Sequence, residues 1–380
     1  MWRLLLRLIR NNPFSVENRT MGQEGTQNTA ANVRPGPKLP VMFSRYKSSV
    51  EQELYRAVPK LTESEAYLLL RYHLGWIDRQ GVPVESSAAQ GKALRPTLCL
   101  FACDALANDF SRALPAAAAL ELIHNFSLIH DDIQDGDVER RHQPTAWHVW
   151  GMPKALSAGN AMQCTGDLSM LNVGREGVSP GTVLRVSEIL TGSYLEMIQG
   201  QCLDLAFESR TDITSDEYLY MIACKTGALI RCGLEIGALL ATEDDATVNA
   251  FSRFGSCLGQ AFQIRDDYLG IWGDQATTGK SAGNDIRRRK KSFPVVFALE
   301  RANGRALEEL FRIYGQEELE EDDVQRVLAV LDEVGAQDNA QRLTNAAAAQ
   351  ALEALAPVPL PDWARAEAEE LVEFLSRREF

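Results

Sequence analysis

The stretch His124-Asn-Phe-Ser-Leu-Ile-His130-Asp131-Asp132-Ile-Gln-Asp135, residues 124–135, decides the fold of this chain. Apolar positions recur every three or four residues from Ala116 to Asp135, which is a helical period. Asp131 and Asp135 are four apart, so both carboxylates leave one helix face, a turn apart. His124, Leu128, Asp131 and Asp135 form one stripe with an apolar stem and a polar end. Like charges at that spacing weaken a helix, so something must neutralise them. Oxygen ligands of this kind suit Mg²⁺, which binds through one or two carboxylates plus substrate phosphates and water. By itself the stretch also fits a solvated acidic helix end, with Arg140 and Arg141 as plain surface charge.

A second acidic stretch, Gln263-Ile-Arg-Asp266-Asp267-Tyr-Leu-Gly270, follows 135 positions after Asp131. Gln263, Asp266, Asp267 and Gly270 again share a helix face. Two acidic faces on otherwise apolar helices fit carboxylates that meet across a helical bundle and share metal ions. A cationic stretch, Gly91-Lys92-Ala-Leu-Arg95-Pro96, precedes a helix that Pro96 can start. Arginine matches phosphate with its bidentate fork, and lysine acts as a point charge. Lys225-Thr226, Lys280 and Lys290 add candidate phosphate ligands, although the run Arg287–Lys291 also reads as a solvated basic loop.

From about Ser48 onward the periodicity is helical nearly throughout. Thr62–Glu65 and Thr214–Glu217 read as capping boxes, and glycine and proline at 151–153, 177–181 and 273–283 mark inter-helix loops. The expected organisation is a variable, disordered extension over 1–47 and one all-α domain over 48–380. Met1–Phe14 carries Arg3, Arg7 and Arg10 among leucines and isoleucines. It fits a membrane-surface helix, a targeting peptide, or a start site mis-assigned ahead of Met21 or Met42. The net charge of −13 argues against a nucleic-acid partner. No run of eighteen uninterrupted apolar residues exists, which argues against a transmembrane helix. Seven scattered cysteines, with no Cys-x-x-Cys pair, read as buried thiols of a cytoplasmic protein.

The order Gly-Lys-x-x-Arg-Pro, Glu121-x-x-His124, Asp-Asp-x-x-Asp, Arg-Arg, Lys-Thr, Gln-x-x-Asp-Asp and Thr-Gly-Lys, over roughly 88–300, resembles the trans-isoprenyl diphosphate synthase (polyprenyl synthetase) family. The resemblance implies a single large all-α bundle of the isoprenoid synthase type with a central active-site cavity. It also implies a homodimer that condenses isopentenyl diphosphate with an allylic prenyl diphosphate. Asp131, Asp135 and Asp266 would bind three Mg²⁺ ions, supported by Asp132 and Asp267. Arg140, Lys225, Thr226, Gln263, Lys280 and Lys290 resemble allylic diphosphate ligands; Lys92, Arg95, His124 and Arg141 resemble isopentenyl diphosphate ligands. Phe126, five residues before Asp131 and about 7.5 Å along the helix axis, resembles a chain-length floor, with Ser127 beside it and Ile123 below. An aromatic followed by a small residue favours a C20 product over C15. Four features depart from the family pattern: Gly270 stands in place of a usual aspartate, Gln90 of a common glycine before Gly91, His142 of a glycine after Arg141, and Asn160 of a frequent aspartate. The competing readings are a class I terpene cyclase, which needs no second cationic site, and a non-catalytic partner subunit, which usually loses a metal motif.

Overall fold

The computed structural model describes residues 39–59, 64–84, 91–273, 283–316 and 318–377. These form sixteen α-helices in chain order: α1 Val41–Ala57, α2 Glu65–His73, α3 Leu94–Ala107, α4 Leu114–Gln134, α5 Ala146–Trp150, α6 Met152–Leu171, α7 Pro180–Glu208, α8 Ser215–Ile222, α9 Ala228–Ala241, α10 Asp245–Trp272, α11 Asn284–Arg287, α12 Phe293–Arg301, α13 Gly304–Tyr314, α14 Glu321–Glu333, α15 Ala336–Leu355 and α16 Asp362–Arg377. The fold is all-α, as the periodicity requires. Helix α1 starts ahead of the boundary expected at 48, because Met42, Phe43 and Tyr46 are core residues. Tyr46 donates to Asp104 on α3 at 2.9 Å, a long-range tie that local periodicity does not reveal.

The main core is built around α4. Ala116 to Ala119 are fully buried, and their small side chains let α6 approach closely. Helix α10 is capped by Asp244, whose carboxylate accepts from the Ala246 and Thr247 amides. It packs along α9 and α15. Helix α8 opens with the expected Thr214/Glu217 capping box. Of the other expected box, Thr62 and Glu63 lie outside the described residues, and α2 takes Ser64 as its N-cap.

Two local devices aim the polar residues. The first is a two-residue hairpin pairing Glu139–Arg140 with Gln143–Pro144. Its turn, Arg141-His142, has φ of 51° and 62°. Both central residues are left-handed, as a type I′ turn demands. A glycine would adopt that conformation without strain, whereas His142 does so against its own preference.

The second device is the five-residue π turn Ala223–Gly227 between α8 and α9, which carries Lys225 and Thr226. Such turns widen a helix locally and concentrate at functional sites. Here the turn is clasped between two glycines. A β-carbon on Gly200 of α7 would lie 2.6 Å from the Lys225 Cα, and one on Gly259 of α10 would lie 2.7 Å from the Gly227 Cα. Close backbone approach therefore fixes where Lys225 projects. Gly200→Ala is expected to lower stability by ~2 kcal/mol through overpacking, read as a shifted urea midpoint. Gly192→Ala on the same helix, where a β-carbon meets nothing within 4 Å, should instead be neutral or slightly stabilising.

Candidate active site

The acidic end of α4 and the acidic face of α10 line one cavity of about 570 Å³, with Asp135, Asp266, Lys225 and Lys290 on its walls. Asp131 stands one turn back from Asp135 on α4. Burial pushes its carboxyl up to about 6, against the pull of Lys225 and with a further push from Asp135. Burial likewise raises Asp135, again opposed by Lys225. Among the described residues no three carboxylates, imidazoles or thiols form a cage for an ion by themselves. A cation bound between these walls must take its remaining ligands from a substrate and from water. That requirement fits magnesium with a diphosphate.

The second aspartate of each pair turns inward instead. Asp132 is buried and accepts from Arg140 Nε at 2.6 Å. Desolvation pushes its carboxyl up to about 6, with Arg140 opposing. Asp267 is fully buried. It accepts from the Tyr218 hydroxyl at 2.7 Å, from Gln263 Nε2 at 3.1 Å and from the Phe293 amide at 3.2 Å. Lys290 Nζ lies 3.5 Å from it. Thr226 donates to Gln263 Oε1 at 2.7 Å. A continuous hydrogen-bonded chain therefore joins the π turn to α10 and α8.

A second cavity of about 310 Å³ lies further back along α4, lined by Lys92, Arg95, His124 and Arg141. The hairpin produces this split. It sends Arg140 to Asp132 and Arg141 over Gly91, where a β-carbon would come 2.6 Å from Arg141 Nη2. Buried Glu121 belongs to this wall, near both Arg95 and Arg141; burial raises its carboxyl and the two arginines oppose that. Even so, desolvation lowers Arg95 to about 10 and also lowers Arg141. Burial, with Arg95 and Arg141 beside it, pushes His124 well below its usual range, so it is neutral at pH 7. Lys92 Nζ sits 5.9 Å above the Phe374 ring of α16, so the last helix closes over this cavity.

Phe126 is buried, edge-on to His130 at 5.5 Å and to Tyr194 of α7 at 6.3 Å. Ser127 bonds back to the His124 carbonyl at 2.8 Å. Ile123 packs against α6 at Gly166. Lys280 lies outside the described residues. The basic run is largely exposed, as a solvated loop would be, but each of its members has a named partner. Arg287 pairs with Glu321, Arg288 with Asp137 and Arg289 with the Gln316 carbonyl, while Lys291 donates to the Phe207 and Glu208 carbonyls at the end of α7.

Sequence reasoning missed Asp204, Asp285 and Tyr314, which line the first cavity. Asp204 accepts from Lys225. Its signal was present as an acid four residues after Gly200, hence on the same face of α7. Asp285 and Tyr314 carry no local signal; only the tertiary fold brings them here.

The sequence profile of the family described as Polyprenyl synthetase matches residues 82–331. The chain is 38% identical over 317 residues to the geranylgeranyl diphosphate synthase of Mycobacterium tuberculosis, covering 83% of this chain and 88% of that one. It is also 38% identical over 314 residues to the (2E,6E)-farnesyl diphosphate synthase of Mycobacterium bovis, covering 82% and 86%. Among solved structures, a polyprenyl synthetase from Streptomyces coelicolor superposes with a TM-score of 0.81 at 34% identity, over 88% of this chain and 99% of that one. A polyprenyl synthase from Caulobacter crescentus, complexed with calcium and isoprenyl diphosphate, gives 0.74 at 30% identity, over 89% and 97%. The two acidic walls and the separate cationic cavity thus sit in a fold and a sequence shared across these enzymes, and the chain belongs to the polyprenyl synthetase family.

Proposed function

We infer that the chain is a magnesium-dependent prenyltransferase that condenses isopentenyl diphosphate with an allylic diphosphate and releases diphosphate. One observation carries the reading: two cavities of different chemistry, one with acidic walls and one cationic, open at different heights along α4. A cyclase needs only the first. Asp131, Asp135 and Asp266 would hold magnesium, three ions by family resemblance. When bound, magnesium neutralises the charge that builds on the departing diphosphate. Lys225, Thr226, Gln263, Lys290 and Arg140 serve the allylic diphosphate, and so does Lys280. Lys225 and Lys290 add fixed positive charge where the leaving group develops its own. Lys92, Arg95 and Arg141 hold the isopentenyl diphosphate, and neutral His124 can donate to it without adding charge. The apolar walls around Phe126 keep water from the carbocation. The proton lost at the end passes to the departing diphosphate, so no side chain need act as a base.

The relatives are named for both C20 and C15 products. The buried Phe126, backed by Tyr194, supports a floor for a C20 chain, with C15 the neighbouring outcome. Exposed Leu168 and Leu171 on α6 and Leu184, Leu195 and Ile198 on α7 support a homodimer through those helices. No helix among the described residues is long and apolar enough to cross a membrane. The seven unpaired cysteines support a reducing, cytoplasmic setting.

Incubation with Mg²⁺, isopentenyl diphosphate and dimethylallyl, geranyl or farnesyl diphosphate should give elongated all-trans products with C20 dominant. Cyclised hydrocarbons without elongation would favour the cyclase, and turnover only with an added partner would favour the subunit. Phe126→Ala should lengthen the products; an unchanged profile removes Phe126 as the floor.

A second expectation concerns pH. The carboxyl of Asp131 lies at about 6 in the folded chain against the usual 3.8. Protonation therefore favours the folded state, and this contribution is lost as pH rises from about 4 through 6. In metal-free buffer the Tm of Asp131→Asn relative to wild type should rise by ~2 °C between pH 4.5 and 7.5. Adding Mg²⁺ and diphosphate should reverse the order by stabilising wild type alone. A pH-independent difference would show that burial does not hold this carboxyl up.

A further inference from the structure

Helix α2 precedes the residues that the family profile matches, yet it reaches the first acidic motif. His73, its last residue, and Asp132 of α4 line one cavity of about 20 Å³, together with Tyr72, Arg140 and Arg141. Each of the two carries a buried polar atom with no hydrogen-bond partner among the described residues, His73 Nε2 and Asp132 Oδ2. Asp132 is 1% exposed, and its other oxygen, Oδ1, accepts from Arg140 Nε at 2.6 Å. Tyr72 donates to the Pro144 carbonyl at 2.7 Å, which ties α2 to the hairpin that carries the two arginines.

The two unpartnered atoms call for the same ligand. Burial, then Arg141 and Arg140, push the His73 imidazole down to about 3, so the ring is neutral at pH 7. With its proton on Nδ1, Nε2 is an acceptor, as a carboxylate oxygen is. Two acceptors cannot bond each other, and leaving both unpaired in the interior is costly. A water has two O–H groups to donate and lone pairs to accept from a guanidinium on the same wall. A cavity of this size holds about one such molecule and is too small for a substrate group.

We propose that an ordered water bridges His73 Nε2 to Asp132 Oδ2 in this cavity, and that His73 is thereby a positioning residue for the Asp132–Arg140 pair. The water donates to both atoms and accepts from Arg140 or Arg141. With Oδ1 on Arg140 and Oδ2 on the water, the carboxylate cannot turn about its Cβ–Cγ bond, and the guanidinium it holds keeps one orientation. The positioning role rests on the reading of Arg140 as a ligand of the allylic diphosphate; the bridge itself does not.

A crystal structure of the full chain that orders buried waters should show one within hydrogen-bond distance of both His73 Nε2 and Asp132 Oδ2. A dry cavity overturns the bridge. His73→Phe removes the acceptor and fills the space. It should raise the KM for the allylic diphosphate about fivefold, the effect of one net hydrogen bond, with kcat changed less than about twofold. His73→Gln places an amide group near the Nε2 position and should restore the wild-type KM. His73→Leu gives the same comparison should the phenylalanine variant fold poorly. A loss of active enzyme with KM unchanged makes His73 merely structural and overturns the positioning role. A KM shift shared equally by His73→Gln and His73→Phe does the same. Wild type that holds the water but elongates no allylic diphosphate overturns the prenyltransferase reading, and the positioning role with it, while the bridge stands.

Discussion

Burying the Asp267 carboxylate away from all solvent is costly, and much of the active-site architecture follows from how that cost is offset. Tyr218 comes from α8, Gln263 from the preceding turn of α10, the Phe293 amide from the start of α12, and Lys290 from the connection between α11 and α12. Each partner is drawn to a fixed position because withdrawing it would leave an uncompensated charge inside the protein. Gln263 in turn accepts from Thr226, which anchors the π turn and so the root of Lys225. Lys290 continues to Asp285. One interior anion therefore sets the register of both cationic residues on the first cavity and of Asp285.

The same economy governs the second cavity along α4. Glu121 is buried between two arginines whose own desolvation is unfavourable, and Asn125 Nδ2 holds its carboxylate at 3.1 Å. The Arg141-His142 turn gives two adjacent arginines different partners, Arg140 bonding to Asp132 and Arg141 facing the Glu121 wall. A strained turn is a small cost for that division, since two like charges kept together would repel at either site. Helix α4 is common to both cavities because its i, i+4 geometry sets His124, Asp131 and Asp135 along one face, with His124 at one cavity and Asp135 about three turns further on at the other.

Sequence made the periodic and local features legible. The Thr214 box, the Asp131/Asp135 stripe and the Lys92/Arg95 spacing all depend on residues three or four apart, and the structure keeps each on its expected element. Residues brought in by tertiary closure were not legible. Asp285 and Tyr314 reach the cavity through α11 and α13, with no spacing rule linking them to Asp266. The start of α1 at Val41 depends on a tyrosine that bonds to α3, so a composition boundary at 48 falls inside a helix. The run Arg287–Lys291 looked uniform because charge alone was visible; its members separate only when their acceptors, on α7, α10, α11, α14 and two connecting loops, are known. The inward turn of Asp132 and Asp267 was equally hidden, since helical spacing gives a face and not the depth at which it is buried.

Around the first cavity the cations are already engaged by the protein's own acids. Lys225 is held by Asp204, Arg140 by Asp132, Arg288 by Asp137, and Lys290 by Asp267 and Asp285. An incoming diphosphate must therefore compete with carboxylates for these groups, and a cation must compete with lysine for the carboxylates. Either ligand alone breaks pairs without replacing them. Together they exchange one balanced set for another, with the diphosphate taking the lysines and the metal taking the acids. Charge balance inside a partly desolvated cavity thus favours joint binding of metal and diphosphate over binding of either one. Burial, which keeps Asp131 protonated up to about pH 6, works in the same direction, because it penalises the bare ionised site and leaves the paired one comparatively stable.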